Sequence, residues 1–381
     1  SILRSGCGMP TLASISTVAT VGGGARIPLI TQRLSEQLRT RVVTTPRPQL
    51  TVAEGVALIA HRSQIVETAT AMAPAASATA TVAAAAFAGG APPSVGGLAW
   101  SEVDDDDLIS GLAGVVLALT GAATLTGTAR WKELARARAM ELAQRGQRRP
   151  WGWAWRAGDD TAPLCGLAHG ASGVALALTE AGRVGPGDGP PEPLLEEAID
   201  EACRFERSWL DPVSGTWPDL RVEPAEGPVP RPAHWCHGAA GIGASRLRLA
   251  ARRGEPWAHA EAAAAVQASW RAALDEIDTG MLDRGLTLCH GVAGAVDLLL
   301  DASVVWHDEA HADAARWLAG QALARLGPDP ATWRGGLGGA PGPGLMNGLA
   351  GTMATLARIE AGWPAPTSAP GIPAVSGLPR R

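Results

Sequence analysis

The chain has 381 residues, of which 46% are hydrophobic and 18% charged, with a net charge of −5 and a pI near 5.9. That length can bury a large core as one big domain or two smaller ones, and the balance of residues is ordinary for a soluble globular protein. The acidic charge excludes the basic surface expected of a nucleic-acid binder.

Residues 1–99 read as an atypical N-terminal segment. All 14 Trp lie at position 100 or beyond, and no Asp precedes Asp104. Arg41 to Pro48 reads as an extended linker, because Pro46 and Pro48 disfavour helix. Apolar residues recur at helical spacing around Val56, Ile59 and Ile65, which predicts a helix from Leu50 to Met72. Degenerate first repeats, a linker from an upstream domain and a reading-frame error are three accounts of this break. The most apolar window, Ala71 to Gly90, is mostly Ala and Thr with Pro74 inside it, too weakly hydrophobic for a membrane span. The N-terminus lacks the pattern of a signal peptide, so the expected location is the cytoplasm. The start at Ser1 suggests a fragment. The five cysteines, an odd number in a long chain, point to reduced thiols or metal ligands rather than a disulfide scaffold.

From Asp104 onward a repeat emerges. Gly111-Leu-Ala-Gly114, Gly170-Ala-Ser-Gly173, Gly238-Ala-Ala-Gly241, Gly291-Val-Ala-Gly294 and Gly348-Leu-Ala-Gly351 each open an apolar run. A helix apolar nearly all round, such as the one beginning Val174-Ala-Leu-Ala-Leu178, is buried on several sides. Thr128 to Gly146 and Glu255 to Ile277 carry charge on one face and read as outer helices. Inner apolar helices alternating with outer amphipathic ones predict an all-α fold, an α/α toroid of helical hairpins. The domain occupies 100–370, and 371–381 is a C-terminal tail. Glycine turns would gather at one end of the inner barrel, where a site is expected.

Two of the turns carry soft donors: His234-Trp235-Cys236-His237-Gly238 and Leu288-Cys289-His290-Gly291. Cys236, Cys289 and His290 are the candidate metal ligands. Three protein ligands leave a fourth tetrahedral position open, the pattern of a catalytic zinc, and soft donors select zinc over magnesium or calcium. On spacing alone His234 and His237 remain alternative ligands. His169 holds the same place before its glycine as His237 and His290, and is the candidate general acid or base. In the run Asp104 to Asp107, three carboxylates read as a solvated or helix-start cluster, with Asp107 the one that projects inward. Cys165 and Cys203 read as core, and Cys7 as inert. In Trp217-Pro-Asp-Leu-Arg221, Asp219 and Arg221 either pair to fix the loop or contact a peptide.

These motifs, with Pro343-Gly-Leu-Met-Asn-Gly-Leu-Ala-Gly351, resemble the LanC-like lanthipeptide cyclases over about residues 104–362. The Trp-Cys-His-Gly and Pro-Gly-Leu-Met elements look most like the C-terminal cyclase domain of class II LanM synthetases. The resemblance implies an α/α toroid with zinc on Cys236, Cys289 and His290, and catalytic positions at His169 and Asp107. It implies addition of a peptide cysteine to dehydroalanine or dehydrobutyrine, giving lanthionine or methyllanthionine. Implied partners are a ribosomally made precursor peptide and an upstream dehydratase domain or protein; Trp235, His237 and Arg221 are candidate substrate contacts. Family toroids have seven hairpins, whereas five units are visible here, and Ala240 stands where the family usually has a proline-containing turn. A LanC-like module that binds zinc and peptides without catalysis is the alternative. A toroid glycosidase would need acidic pairs at the cavity mouth, and no persuasive pair lies near the glycine turns.

Overall fold

The computed structural model describes residues 17–20, 41–44, 104–156, 163–184, 192–222, 229–280, 282–342 and 344–360. Within Arg41 to Pro48, Arg41–Thr44 forms a strand, β2, paired in parallel with β1, Thr17–Thr20. The helix predicted over Leu50 to Met72 lies outside the described residues.

Each glycine-entered apolar run becomes an inner helix. These are α1 (Leu112–Thr126), α3 (Ala171–Ala181), α5 (Ala239–Arg253), α7 (Ala293–Trp306) and α9 (Leu349–Glu360). Every residue of α3 is buried, as expected for a helix apolar all round. The outer helices are α2 (Ala129–Gln144), α4 (Pro193–Arg207), α6 (Pro256–Thr279) and α8 (Glu309–Leu326). In α4 the buried residues Leu195, Ala198, Ile199, Ala202 and Phe205 recur at helical spacing and set one face inward. Pro193 and Pro256 stand in the first turns of α4 and α6, where a missing N–H costs nothing. Left-handed glycines close α1, α5 and α6 at Gly127, Gly254 and Gly280. A short hairpin, β3 (Gln147–Arg149) with β4 (Gly152–Ala154), joins α2 to the second repeat.

Consecutive inner helices pack against one another, and α1, α3, α5 and α7 each pack on the outer helix that follows. This is the inner and outer layering of an α/α toroid, and the described residues supply five of its inner helices. No helix among them is long and apolar enough to cross a membrane.

The glycine pairs have one steric cause. A Cβ on the second glycine would collide with the carbonyl six residues earlier in each repeat: Leu108 for Gly114, Leu167 for Gly173, Trp235 for Gly241, Leu288 for Gly294 and Leu345 for Gly351. The loop therefore lies directly on the first turn of the helix it leads into. Gly238 adds a positive φ of 118°, a conformation that L side chains rarely adopt.

The loops are also bonded to one another. Leu108 N donates to Ala168 O (3.0 Å), Ala168 N to Cys236 O (3.0 Å), Trp235 N to Cys289 O (3.1 Å) and Cys289 N to Met346 O (2.8 Å). A backbone relay thus runs from the first turn to the fifth and satisfies amides that would otherwise be buried without partners.

Charge is buried where the apolar pattern gave no hint of it. Arg246, fully buried on α5, donates to Glu206 of α4 (2.9 Å) and Glu261 of α6 (2.7 Å). Glu206 also accepts from Gly166 N and Ser172 N, both at 2.9 Å. Arg358 on α9 bonds Asp297 and Asp301 of α7. In the acidic run, Asp106 is buried along with Asp107. That corrects the expectation of three solvated carboxylates: Asp106 accepts from Arg145 (3.1 Å) and from Arg156 N (3.2 Å), and those bonds replace its water.

Gly241→Ala should destabilise the fold by about 2–3 kcal/mol, since a Cβ there overpacks against a backbone carbonyl that has no room to move. Gly121→Ala, in the interior of α1 with nothing nearby to strike, should instead stabilise by about 0.5–1 kcal/mol. Denaturant unfolding of both variants measures the contrast, and a tolerated Gly241→Ala would contradict the steric account.

Candidate functional site

The third and fourth turns set Cys236 and Cys289 at the same place in their repeats, two residues before the first glycine. The relay bonds at Trp235 N and Cys289 N hold those turns edge to edge. As a result the Cys236 and Cys289 sulfurs and a His290 ring nitrogen lie within 4.8 Å of one another. His290 Nδ1 lies 2.9 Å from Gly336 O. A carbonyl only accepts, so Nδ1 carries the proton and Nε2 is left as the donor atom for a metal. The Cys236 thiol is held down at about 4, first by hydrogen bonding from Cys289 and then by His290. The Cys289 thiol is pushed up, first by its hydrogen bond to Cys236 and then by burial. One thiolate, one thiol and an imidazole make a soft, tetrahedral-compatible set that fits zinc.

His237, one residue after Cys236, does not join this group. Its ring stacks on His169 with centroids 5.5 Å apart, and burial lowers its pKa. His234 lies edge-on to His290, centroids 5.3 Å apart, and burial lowers it to about 4.

The second constellation links the first two turns. Asp107 Oδ2 lies 2.7 Å from His169 Nδ1. Asp107 Oδ1 accepts from Ile109 N (2.9 Å) and Ser110 N (2.7 Å). Burial pushes the Asp107 carboxyl up, but the hydrogen bonds from His169 and the Ser110 amide outweigh it and hold it below the usual value. An ionised Asp107 fixes the proton on Nδ1 of His169 and leaves Nε2 for proton exchange. His169 is about one-third exposed, while Asp107 is buried. The turn carrying His169 is braced from behind by the Glu206 bond to Gly166 N.

Arg221 pairs with Asp219 through two bonds, Nε to Oδ1 (2.9 Å) and Nη2 to Oδ2 (2.7 Å). That fixes the loop, and the guanidinium remains half-exposed and close enough to Cys236 and Cys289 for their charges to act on it. Trp235 has a different placement: it is buried in the core and packs against Gly294. Cys165 and Cys203 are core residues as well. Burial raises the Cys165 thiol well above its ordinary value and pushes that of Cys203 up to about 12. Cys7 lies outside the described residues.

Three contributors had no signal in the sequence. Gly336 O orients His290 from 46 positions away. Glu206 looks like an ordinary charge on an outer helix. Glu276 of α6 lines a cavity of about 40 Å³ that His290 also lines, with His234 and Ser269 on its other walls.

A profile described as lanthionine synthetase C-like protein matches residues 102–369. No curated protein matches the chain. Among solved structures, nisin cyclase superposes with a TM-score of 0.50 at 18% identity, over 70% of this chain and 66% of its own. The chain thus spans just under two thirds of nisin cyclase. At that identity the likeness speaks for the α/α toroid fold alone. A GH76 α-mannanase from Bacteroides thetaiotaomicron (TM-score 0.39, 12% identity, 55% of each chain) is a weaker match. So is cellobiose 2-epimerase from Spirochaeta thermophila DSM 6192 (0.41, 18%, 65% of this chain and 69% of its own).

Burial pushes the Glu276 carboxyl up to about 7 from an ordinary value of 4.5. Between those values the folded state binds more protons than the unfolded one, so this group makes stability fall as pH rises. Glu276→Gln should therefore be more stable than the wild type at pH 8, by about 1 kcal/mol after allowance for solvent screening. It should be indistinguishable near pH 4. Thermal unfolding at the two pH values checks the difference, and an unchanged gap between them would count against it.

Proposed function

The chain belongs to the lanthionine synthetase C-like family, and on that premise we propose that it is a zinc-dependent cyclase forming lanthionine and methyllanthionine thioethers in a precursor peptide. The observation that carries the reading is the convergence of Cys236, Cys289 and His290 with the Asp107–His169 pair on the glycine turns. Cys236, Cys289 and His290 would hold the zinc. When bound, zinc supplies the Lewis acidity that lowers the pKa of a substrate thiol and keeps it as thiolate.

The chain's own residues account for the rest. The substrate sulfur bonds to the β-carbon of the dehydro residue, and the electron pair moves onto the α-carbon and carbonyl as an enolate. His169, as imidazolium, gives its Nε2 proton to the α-carbon. Asp107, an anion bonded to Nδ1, stabilises that imidazolium and fixes its ring. Solvent returns a proton to His169. The thiol proton lost equals the carbon proton gained, so the peptide mass does not change. Arg221 lies near Cys236 and Cys289 and favours the negative charge that develops on the substrate. His237, stacked on His169, keeps that ring from turning away.

The resemblance in the Trp235 to Gly238 and Pro343 to Gly351 motifs supports placement as a LanM C-terminal domain. In that setting the dehydro residues come from a dehydratase domain or protein, and the reaction takes place in the cytoplasm.

Metal analysis should find about one zinc per chain, lost in Cys236→Ala and Cys289→Ala. A metal-free wild type would sink the reading. With a dehydrated peptide, the protein should consume free thiol at constant peptide mass. His169→Ala should retain zinc and lose about 10²–10⁴-fold in rate; an undiminished rate would remove His169 as the acid. Peptide binding without ring formation would instead favour a non-catalytic binding module.

A further inference from the structure

Among the described residues, seven large hydrophobic side chains are exposed. Four lie on other segments of the chain: Trp151 at the β3–β4 turn, Trp209 just after α4, Val213 in the Asp211–Thr216 turn and Trp317 on α8. The other three lie within two positions of site residues. Ile109, 53% exposed, is two positions from Asp107; Val222, 44% exposed, follows Arg221; Leu337, 77% exposed, follows Gly336, whose carbonyl orients His290.

None of the three hangs on loose chain. Ile109 N donates to Asp107 Oδ1 at 2.9 Å. Val222 N donates to Asp219 O at 3.2 Å. Leu337 sits inside a turn closed by Gly338 N and Gly335 O at 2.9 Å. Ile109 also holds, in the first repeat, the turn position that Cys236 and Cys289 hold in the third and fourth. Val213 and Trp317 also stand on bonded backbone; what sets these three apart is that each lies beside a residue of the site.

We propose that Ile109, Val222 and Leu337 form an apolar rim around the Cys236–Cys289–His290 cluster that grips apolar residues flanking the reacting cysteine of a peptide substrate. The occupant follows from position, and the proposal rests on the cyclase reading in this respect. A chain whose cysteine sulfur reaches the cluster must lay its neighbouring residues across the loops that carry these side chains. Arg221 donates two bonds to Asp219, and the side chain that follows it, Val222, is apolar. Ile109 and Leu337 act as specificity residues and take no part in proton transfer.

The test uses zinc-loaded protein and two fluorescein-labelled synthetic peptides. Each carries one cysteine and one dehydroalanine, flanked by Leu in one peptide and by Ser in the other. Fluorescence anisotropy should show the Leu-flanked peptide binding about tenfold more tightly. Ile109→Ser and Leu337→Ser should each erase about three- to tenfold of that preference with zinc content unchanged. KM for ring formation should rise in parallel while kcat holds. Val213→Ser, at a residue 89% exposed on the Asp211–Thr216 turn, should change nothing. Equal binding of the two peptides, or a Leu preference that survives both variants, overturns the rim. Concentration-dependent dimerisation of the wild type that Leu337→Ser abolishes would assign the rim to a second copy and overturn it too. Leu-preferring binding without ring formation sinks the cyclase reading and leaves the rim standing; ring formation without preference does the reverse.

Discussion

Five glycine pairs let five loop backbones lie directly on the helices they lead into, and the whole site end of the molecule depends on that contact. A single Cβ at the second glycine would lift a loop off its helix by striking the carbonyl six residues back. With the loops pressed down, each one's edge meets the next loop's edge, and the relay through Leu108, Ala168, Trp235 and Cys289 amides closes. Side chains at one turn position in consecutive repeats therefore come out side by side. The relay converts a sequence period of more than 50 residues into a spacing of a few ångströms.

On that common frame, residue identity alone makes one turn differ from another. Two residues before the first glycine stand Ile109, Ala168, Cys236, Cys289 and Met346, so two thiols fall on neighbouring turns. One residue before it stand Ser110, His169, His237, His290 and Asn347. Each of the three imidazoles leans on the turn that precedes it. His169 meets Asp107, His237 stacks on His169, and His290 meets Cys236. The Asp107–His169 pair and the soft donors are thereby separated along the arc, with the pair on the first two turns and the donors on the next two.

Buried charge supplies the rigidity that apolar packing alone does not. Glu206 links the His169 turn to α5 through Arg246 and to Ser172 of α3, and Glu261 ties the same arginine to α6. Such a network sits in a low-dielectric interior where each bond is strong, and where removing one partner leaves another charge uncompensated. It holds the turns from below while the relay holds them at their edges.

The periodic parts of this protein were legible in the sequence. The inner helices α1, α3, α5, α7 and α9 begin at the glycine pairs, because a glycine followed by an apolar run is a local steric and hydrophobic fact. The outer helices were legible from one-sided charge, and Ala129–Gln144 and Pro256–Thr279 fall close to the segments read that way. Asp106 was misread because a run of four carboxylates looks solvated, and nothing near it announces that Arg145 and the Arg156 amide will bury it. Trp235 adjoins Cys236 in sequence, yet its side chain is buried in the core. Sequence by itself determined the repeat, the turn positions and the chemical types available at each, since these follow from side-chain identity and spacing. Only the tertiary structure decided that His290 and not His237 meets the thiols, and that Asp107 meets His169 across 62 positions. Those pairings depend on which neighbouring loop each turn is bonded to, and that is a property of the assembled ring of helices.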